Sequence, residues 1–250
     1  MTEYVCIDTV VPVRSGPSHK AEMQTQILLG ERYTIADSAG MWTRIKMVFD
    51  GSSGWVDNDH FIFVENTSKD KSIILTIGIY AYREDGSKIF IYCGSEIYEL
   101  SVDNKSFRVG NDLYRTEKAV PLIPPENSMA MTAALYLNAP YLWGGRTGHG
   151  IDCSGLTQLV YKMHGISIPR NSFEQVNLGK TINLFSDAIS GDLLFFDNNR
   201  GEISHVGIMY DPGNIIHASG KVRIDKIDHQ GIYKNEIEGY SHKLRLIKRL

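Results

Sequence analysis

The chain has 250 residues, which is enough for one large domain or for two to three small ones. Hydrophobic residues make up 42% and charged residues 22% of the sequence, proportions that are typical of a globular protein and exclude a mostly disordered chain. The formal net charge of −3 argues against nucleic acid or an anionic membrane surface as the main partner.

The N-terminal segment "MTEYVCIDTVVPV" lacks the basic start and the apolar core of a signal peptide. We therefore expect a cytoplasmic protein if the chain is full length, and a periplasmic or extracellular one if a signal peptide has been removed. The cysteines Cys6, Cys93 and Cys153 lie far apart and form no C-x-x-C pair. This spacing predicts neither a structural zinc site nor a disulfide framework, and we expect no metal and no cofactor.

The first half of the sequence has the pattern of short β-strands. Residues 31–64 contain short runs of alternating apolar and polar residues, separated by the turn segments "DSAG" and "DGSSG", and residues 72–114 repeat this pattern. The polar segment "VENTSKDKS" lies between the two regions. We predict two small all-β domains at residues 1–66 and 67–120, rather than one sandwich.

The pattern changes at the proline-rich segment "KAVPLIPPENS". Asn127 or Ser128 is a suitable cap for a helix in "MAMTAALYLN", and a second helix is predicted in "SGLTQLVYKMHG". The apolar runs "GDLLFF", "SHVGIMY" and "NIIHAS" then predict three strands. Helices followed by a sheet indicate an α+β domain at residues 121–250.

Cys153 follows the glycine-rich run "YLWGGRTGHGID" and has two interpretations. It is either a core residue in register with Leu156 and Val160, or a nucleophile displayed by a loop whose glycines permit close approach of a ligand. Those glycines are Gly144, Gly145, Gly148 and Gly150. The helix dipole contributes about 0.3–1 kcal/mol to a thiolate, whereas lowering the pKa of a thiol from about 8.5 to about 6 requires about 3 kcal/mol. A nucleophilic Cys153 therefore needs a cationic partner.

Two of the eight histidines, His205 and His217, lie in consecutive apolar strands and are the candidates for that partner. They share a face of the sheet if the turn "DPGN" has a three-residue loop or carries a bulge, and a two-residue loop without a bulge would separate them. We predict a shared face or a bulge. The remaining histidines are predicted to lie on the surface or at a helix end: His19, His60, His149, His164, His229 and His242.

A Cys–His–His arrangement would use His205 as the base and His217 to hold its imidazole in one tautomer. The Tyr141 hydroxyl and the backbone N–H of Cys153 are candidate donors to an oxyanion. The alternative for Tyr141 is an aromatic residue that anchors the loop.

Together, "YLWGGRTGHGIDCSGLTQLVY", "IPRNSFEQ", "GDLLFF", "SHVGIMY" and "IIHAS" resemble the NlpC/P60 family of papain-like cysteine peptidases over residues 127–250. The resemblance implies a papain-like fold, with Cys153 as the nucleophile, His205 as the base and His217 as the residue that orients it. It also implies that Tyr141 assists at the oxyanion.

The two β-domains resemble bacterial SH3 domains, and the whole arrangement is similar to γ-D-glutamyl-L-diamino-acid endopeptidases, which act on murein stem peptides with a free N-terminal L-Ala. This resemblance implies that Asp152, Ser154, Ser172 and Glu22 contact the amino end of the substrate. From the residues alone, Asp152 is equally suited to be a helix N-cap. The loop "DGSSGW" departs from the subgroup, because it has Ser52 or Ser53 where the subgroup has a tyrosine.

We therefore expect a monomeric cysteine peptidase whose partners are murein peptides such as L-Ala-γ-D-Glu-diaminopimelate, with neither nucleic acid nor membrane as a partner. One alternative keeps the fold but makes the protein an amidase or acyltransferase, which for a lipid substrate calls for an apolar entry surface or a membrane helix. The other is a non-enzymatic SH3-type wall-binding protein, which does not need Cys153, His205 and His217 together.

Overall fold

The computed structural model describes residues 2–60, 64–65, 70–122 and 128–250. The chain divides into two compact units, Met1–Ile123 and Pro124–Leu250. Within the described ranges, no helix has the length and apolar character needed to cross a membrane.

The described residues of the first unit form two antiparallel sheets. The strands of the first sheet are β1 (Tyr4–Val5), β2 (Val10–Arg14), β3 (Met23–Leu28), β4 (Arg32–Ala39), β5 (Trp42–Met47), β6 (Ser53–Asp57) and β7 (Val64–Glu65). They are ordered β3-β2-β6-β5-β4-β1-β7. Their inward side chains, including Val13, Ile27 and Ile45, form a core of their own, as the alternating pattern predicts.

The second sheet has the order β10-β9-β13-β12-β11-β8. Its strands are β8 (Lys71–Ile73), β9 (Gly78–Arg83), β10 (Lys88–Tyr92), β11 (Glu96–Tyr98), β12 (Ser106–Val109) and β13 (Asp112–Arg115). The predicted boundary between residues 66 and 67 falls in the segment 66–69, outside the described residues, and the predicted division at 66 and 120 stays a prediction.

The two sheets of the first unit share a second core. Leu29, directly after β3, packs in one cluster with Ile97 and Phe107 of the second sheet, and all three side chains are fully buried. The Glu96 N–H donates to the Leu29 carbonyl (2.9 Å), and the Tyr98 hydroxyl donates to the Gly30 carbonyl (2.8 Å). Each sheet therefore completes the burial of the other.

The second unit places its helices before its main sheet, as predicted. The helices in its described part are α1 (Met129–Ala134), α2 (Cys153–Met163) and α3 (Ser172–Gln175). The strands are β14 (Arg146–Thr147), β15 (Gly150–Ile151), β16 (Lys180–Ile182), β17 (Leu193–Asp197), β18 (Ile203–Asp211), β19 (Asn214–Ser219), β20 (Lys221–Ile227), β21 (Gly231–Lys234) and β22 (Gly239–Arg249). The main sheet has the order β16-β22-β17-β18-β19-β20-β21, and β22 also pairs with β21, so that β17 to β22 close into a ring.

The helix α2 is the central element of the second unit. All of its residues from Cys153 to Met163 are buried, so the predicted one-sided apolar stripe understates its burial. The side chain of Asp152 caps its N-terminus, and Gly165 follows its C-terminus with a φ of 78°.

The helix α1 is shorter than predicted. It begins after the cap Ser128, whose side chain accepts a hydrogen bond from the Met131 N–H, whereas the alternative cap Asn127 lies outside the described residues. The predicted extension to Asn138 is wrong, because that residue has a φ of 68° and its N–H donates to the Val222 carbonyl of the sheet. A contact with a distant strand therefore ends the helical backbone early.

The hairpin of β18 and β19 carries a bulge, which confirms the prediction of a shared face or a bulge. Gly207 pairs with His217 and Met209 with Ile215, and the register then shifts between Met209 and Asp211. His205 lies two residues before Gly207, so its side chain and that of His217 are on the same face of the sheet.

Leu29→Ala tests the shared core of the first unit. We expect the substitution to lower the free energy of unfolding by about 2–5 kcal/mol, because it removes a fully buried side chain. Amide hydrogen exchange of the full chain, measured by mass spectrometry, should show faster exchange in both sheets of the unit. The control Val48→Ala, at a side chain with 40% exposure, should leave both unchanged. Faster exchange confined to the first sheet would contradict the shared core.

Candidate active site

Cys153 begins α2 and lies against the strand that carries His205. Its side chain is buried, with 6% exposure, and the backbone N–H of Val206 donates a hydrogen bond to its sulfur. Val206 directly follows His205, so this bond ties the thiol to the strand β18 next to the candidate base. Cys153 is therefore buried, as one of its two interpretations expects, and its role as a nucleophile stays a prediction.

A chain of hydrogen bonds runs from His205 into the sheet. Its Nε2 is 2.8 Å from Nδ1 of His217, and Nε2 of His217 is 2.9 Å from Oδ2 of Asp225. Because Asp225 can only accept, His217 donates from Nε2 and accepts at Nδ1, and His205 donates from its own Nε2. This tautomer leaves Nδ1 of His205 as the nitrogen that can take up a proton.

Asp225 was not predicted from the sequence, and its charge is balanced by Arg223. The Arg223 guanidinium donates to Oδ1 of Asp225 from Nε (2.9 Å) and from Nη2 (2.7 Å). Burial raises the pKa of the Asp225 carboxyl, but hydrogen bonds from His217 and Arg223 outweigh this and hold it below its usual value. Asp225 is therefore a carboxylate that fixes the ring of His217.

Gly207 makes room for this chain of histidines. A methyl group at Gly207 would lie 2.9 Å from Cβ of His217 and 2.6 Å from Cδ1 of Ile215, closer than side-chain atoms can pack. Gly207 of β18 thus allows β19 to approach closely at the position of His217, its partner in the pairing of the two strands.

Burial keeps both members of the Cys153–His205 pair neutral. Burial, and secondarily the charge of Asp152, raises the pKa of the Cys153 thiol to about 11. Burial also lowers the pKa of His205 well below its usual range, with further lowering by His217 and His242. The expectation that a cationic histidine activates the thiol stays a prediction.

His242 belongs to the site, although the sequence predicted it to lie on the surface. His19 and His229 are exposed, as predicted, and the side chain of His60 lies outside the described residues. The half-buried ring of His242 stacks on that of His205, with ring centroids 4.3 Å apart and an angle of 29° between the planes. Burial lowers the pKa of His242 to about 4, so it contacts the base as a neutral ring at neutral pH.

Tyr141 lies at the edge of the same site. Its backbone bridges to Ile151 and donates to the Gly220 carbonyl, and its side chain is half-buried. Burial, with smaller contributions from Cys153 and Asp152, raises the pKa of its hydroxyl to about 12. The hydroxyl is therefore a donor at neutral pH, and its role at an oxyanion stays a prediction.

Asp152 is the N-cap of α2, which confirms one of its two interpretations. Its carboxylate accepts hydrogen bonds from the N–H groups of Gly155 (2.7 Å) and Gly144 (2.8 Å). It also forms a bidentate ion pair with Arg170, at 2.9 Å and 2.6 Å, and both side chains are almost fully buried. The charge that was expected to attract a substrate ammonium is thus already paired with a residue that was not predicted.

Of the other predicted binding residues, Ser154 contacts Arg170 and Ser172 follows Arg170 closely in the chain. The Ser154 hydroxyl accepts a hydrogen bond from Arg170 (2.9 Å). Ser172 begins α3 with a buried side chain, and Gln175 ties that helix to the Ser154 carbonyl (3.1 Å). Glu22 is an exposed residue of the first unit, immediately before β3, and its role stays a prediction.

The glycines at Gly144 and Gly145 are required by contacts within the loop and with the cap of α2. Gly144 has a φ of 76°, a left-handed backbone that suits glycine, and its N–H reaches Asp152. A methyl group at Gly145 would lie 2.4 Å from the carbonyl oxygen of Gly150. At these two positions the glycines serve the cap of α2 and the close approach of the chain to itself, whereas the sequence suggested the approach of a ligand.

Comparisons with known proteins agree with this architecture. Residues 138–240 match the NlpC/P60 family, and residues 13–61 match the bacterial dipeptidyl-peptidase Sh3 domain. The chain is 29% identical over 226 residues to the gamma-D-glutamyl-L-lysine dipeptidyl-peptidase of Bacillus cereus, covering 79% of this chain and 67% of the relative. It is also 29% identical over 214 residues to the protein of that name from Bacillus subtilis, covering 78% and 72%.

A crystal structure of an NlpC/P60 family protein from Bacillus cereus has the same fold. Its TM-score with this chain is 0.83 at 21% sequence identity, and the match covers 99% of both chains. The predicted fold class is confirmed: a papain-like NlpC/P60 domain follows a sheet-rich, SH3-like region.

Arg170→Met tests the buried ion pair. We expect it to lower the free energy of unfolding by about 3–5 kcal/mol, because it leaves the carboxylate of Asp152 buried without its counter-charge. Urea denaturation measures the loss, and Arg200→Met, at an exposed arginine of the same unit, is the matched control. Adding Asp152→Asn to Arg170→Met should recover part of the loss. Equal stability of the Arg170 and Arg200 variants would contradict the pairing.

The buried histidines predict a loss of stability in acid. The pKa values of His205, His217 and His242 are all lowered by burial in the folded chain, so below pH 6.5 the unfolded chain binds more protons. The free energy of unfolding should therefore fall as the pH falls, by up to about 1.4 kcal/mol per pH unit for each imidazole. Urea denaturation at pH 7, 6 and 5 measures this slope.

His242→Phe is the test variant for that slope, because it keeps an aromatic ring against His205. It should remove one imidazole's share of the slope. An unchanged slope in His242→Phe would show that His242 does not contribute.

Proposed function

This chain carries an NlpC/P60 domain together with a bacterial SH3 domain, and on that basis we propose that it is a cysteine peptidase that hydrolyses peptidoglycan peptides. Its substrates are murein stem peptides with a free N-terminal L-Ala, and the bond that it cleaves joins γ-D-Glu to the L-diamino acid. The two Bacillus relatives are named for action at the same linkage, with lysine as the diamino acid.

One observation carries this proposal, namely the line of contacts from Cys153 to Asp225. The thiol lies at the N-terminus of a buried helix and accepts a hydrogen bond from the residue after His205. His205, His217 and Asp225 then follow at hydrogen-bonding distances of 2.8 Å and 2.9 Å. A nucleophile, a base, and groups that orient the base are the parts that acyl transfer requires.

In the first half of the reaction, Nδ1 of His205 takes the proton from the thiol as Sγ of Cys153 attacks the γ-carbonyl carbon of D-Glu. The C–S bond forms and the carbonyl oxygen becomes an oxyanion, to which Tyr141 and the backbone N–H of Cys153 donate. The imidazolium then gives its proton to the nitrogen of the diamino acid, and the C–N bond breaks. Asp225 stabilises the charge that builds up on the histidine pair.

In the second half, a water molecule replaces the departed amine. His205 takes a proton from this water as its oxygen attacks the thioester carbon, and the C–S bond breaks with return of the proton to Cys153. The products are the dipeptide L-Ala-γ-D-Glu and the free amine of the diamino acid.

The amino end of the substrate is bound by residues around the start of α2. The hydroxyls of Ser154 and Ser172 can accept hydrogen bonds from the ammonium of L-Ala, and the Asp152–Arg170 pair beneath them holds Ser154 in place. For Glu22, a residue of the first unit, contact with the substrate stays a prediction that rests on the resemblance to the subgroup.

Cleavage of L-Ala-γ-D-Glu-meso-diaminopimelate tests this function. We expect mass spectrometry to detect L-Ala-γ-D-Glu with the unaltered chain, and Cys153→Ala to reduce the rate at least about a thousandfold, because the nucleophile is lost. Cys93→Ala, which removes another buried cysteine, is the matched control and should keep the activity. Equal activity of the two cysteine variants would contradict the assignment of the nucleophile.

The same assay with an acetylated N-terminus tests the selection of the free amine. Acetylation removes the ammonium, so we expect cleavage to fall sharply. Equal cleavage of both peptides would support the peptidase assignment and contradict the selection of a free amino end. Cleavage of neither peptide would contradict the proposed function.

A further inference from the structure

The ring of His205 has three aromatic neighbours, of which the proposed reaction uses one. His217 accepts a hydrogen bond from its Nε2 at 2.8 Å. Phe196 lies with its ring centroid 5.7 Å away and an angle of 45° between the planes. His242 is nearer and more nearly parallel, at 4.3 Å and 29°. The proton transfers described above assign no task to His242.

The strand register places these rings on one face of the main sheet. His205 on β18 pairs with Phe196 on β17, and Phe196 pairs with Leu244 on β22. Side chains alternate along a strand, so His242, two residues before Leu244, projects from the same face as Phe196 and His205. The approach of His242 to the base is therefore set by the order β22-β17-β18 in the sheet.

Other contacts hold the ring of His242 in place. The Ser241 hydroxyl donates to the Ile232 carbonyl (3.3 Å) and lies 2.9 Å from Nδ1 of His242. A hydroxyl has one proton, so Ser241 accepts the hydrogen bond from Nδ1–H of His242. Phe196 also contacts this ring, with centroids 5.9 Å apart and 70° between the planes. The ring that stacks on His205 is thus itself anchored.

The proton transfers need the plane of the His205 ring to be fixed. A hydrogen bond at one nitrogen fixes the position of that atom and leaves the ring plane free to tilt. Tilting would move Nδ1, the atom that takes up the proton, away from its partner. A flat ring stacked on the imidazole opposes this tilt, and small misplacements of a reacting group slow a reaction strongly.

His242 can cover the base without opposing its charge. Burial lowers the pKa of His242 to about 4, so the ring is uncharged at neutral pH. The imidazolium that forms on His205 during the reaction therefore meets a neutral aromatic face, an arrangement that favours a cation.

We propose that His242 is a positioning residue for the reaction: its stacked ring fixes the plane of the His205 imidazole and holds Nδ1 where it takes up and returns the proton. This inference rests on the proposed function and adds a residue to it. The property that matters is a flat, uncharged ring. Phenylalanine at position 242 should therefore serve, and an aliphatic side chain should not.

His242→Leu and His242→Phe separate stacking from the filling of space, with L-Ala-γ-D-Glu-meso-diaminopimelate as the substrate. We expect His242→Leu to lower kcat about tenfold to a hundredfold with little change in KM, and His242→Phe to keep kcat within about threefold. His164→Leu, at a half-buried histidine that contacts Thr132 (2.9 Å) at the other end of α2, is the matched control and should keep both constants. Equal kcat values for the two variants at position 242 would overturn the positioning role and leave the peptidase function.

A measurement without substrate separates this proposal from the proposed function. NMR of the chain with ¹⁵N-labelled histidine follows the exchange of the His205 Nε2–H with water, which its hydrogen bond to His217 slows. Exchange should be faster in His242→Leu than in His242→Phe or the unaltered chain. That result, without cleavage of the peptide by the unaltered chain, would support the positioning contact and overturn the proposed function. Unchanged exchange in His242→Leu would overturn the positioning role.

Discussion

The bulge between Met209 and Asp211 controls the arrangement of the whole site. Side chains alternate along a strand, so a slip of one residue would carry His217 to the opposite face from His205. With the bulge, His217 pairs with Gly207, a residue without a side chain, and its ring lies between His205 and Asp225. The relative position of the candidate base and of the residues that orient it depends on this register.

Burial then sets the chemical state of these groups. Cys153 and His205 lose contact with water, which favours the neutral thiol and the neutral imidazole. Permanent charges in the same interior are tolerated only in pairs, such as Asp152 with Arg170, and the carboxylate of Asp225 has its own cationic partner. The site therefore combines neutral reacting groups with paired charges that hold them in position.

The residues that the sequence identified are those with short local patterns. Cys153 follows a glycine-rich loop at a helix start, and His205 and His217 interrupt two apolar strands, so their neighbours in the chain mark them. Asp225 and Arg170 were missed, because each is recognised by a partner on another element. The run "KVRIDKI" did contain a signal, since a carboxylate at an inward position of a strand requires a partner.

Local periodicity and turn residues were sufficient to predict the α+β class of the second unit, the change from sheet to helix near residue 120, and the elements that carry the candidate nucleophile and base, whereas the papain-like and SH3-like folds were predicted from the family resemblance. These features depend on residues close together in the chain. The pairing of Asp152 with Arg170 and the stacking of His242 on His205 emerged only from the tertiary structure. Each depends on which strands and helices become neighbours, and burial then decides which charges stay paired and which rings stay neutral.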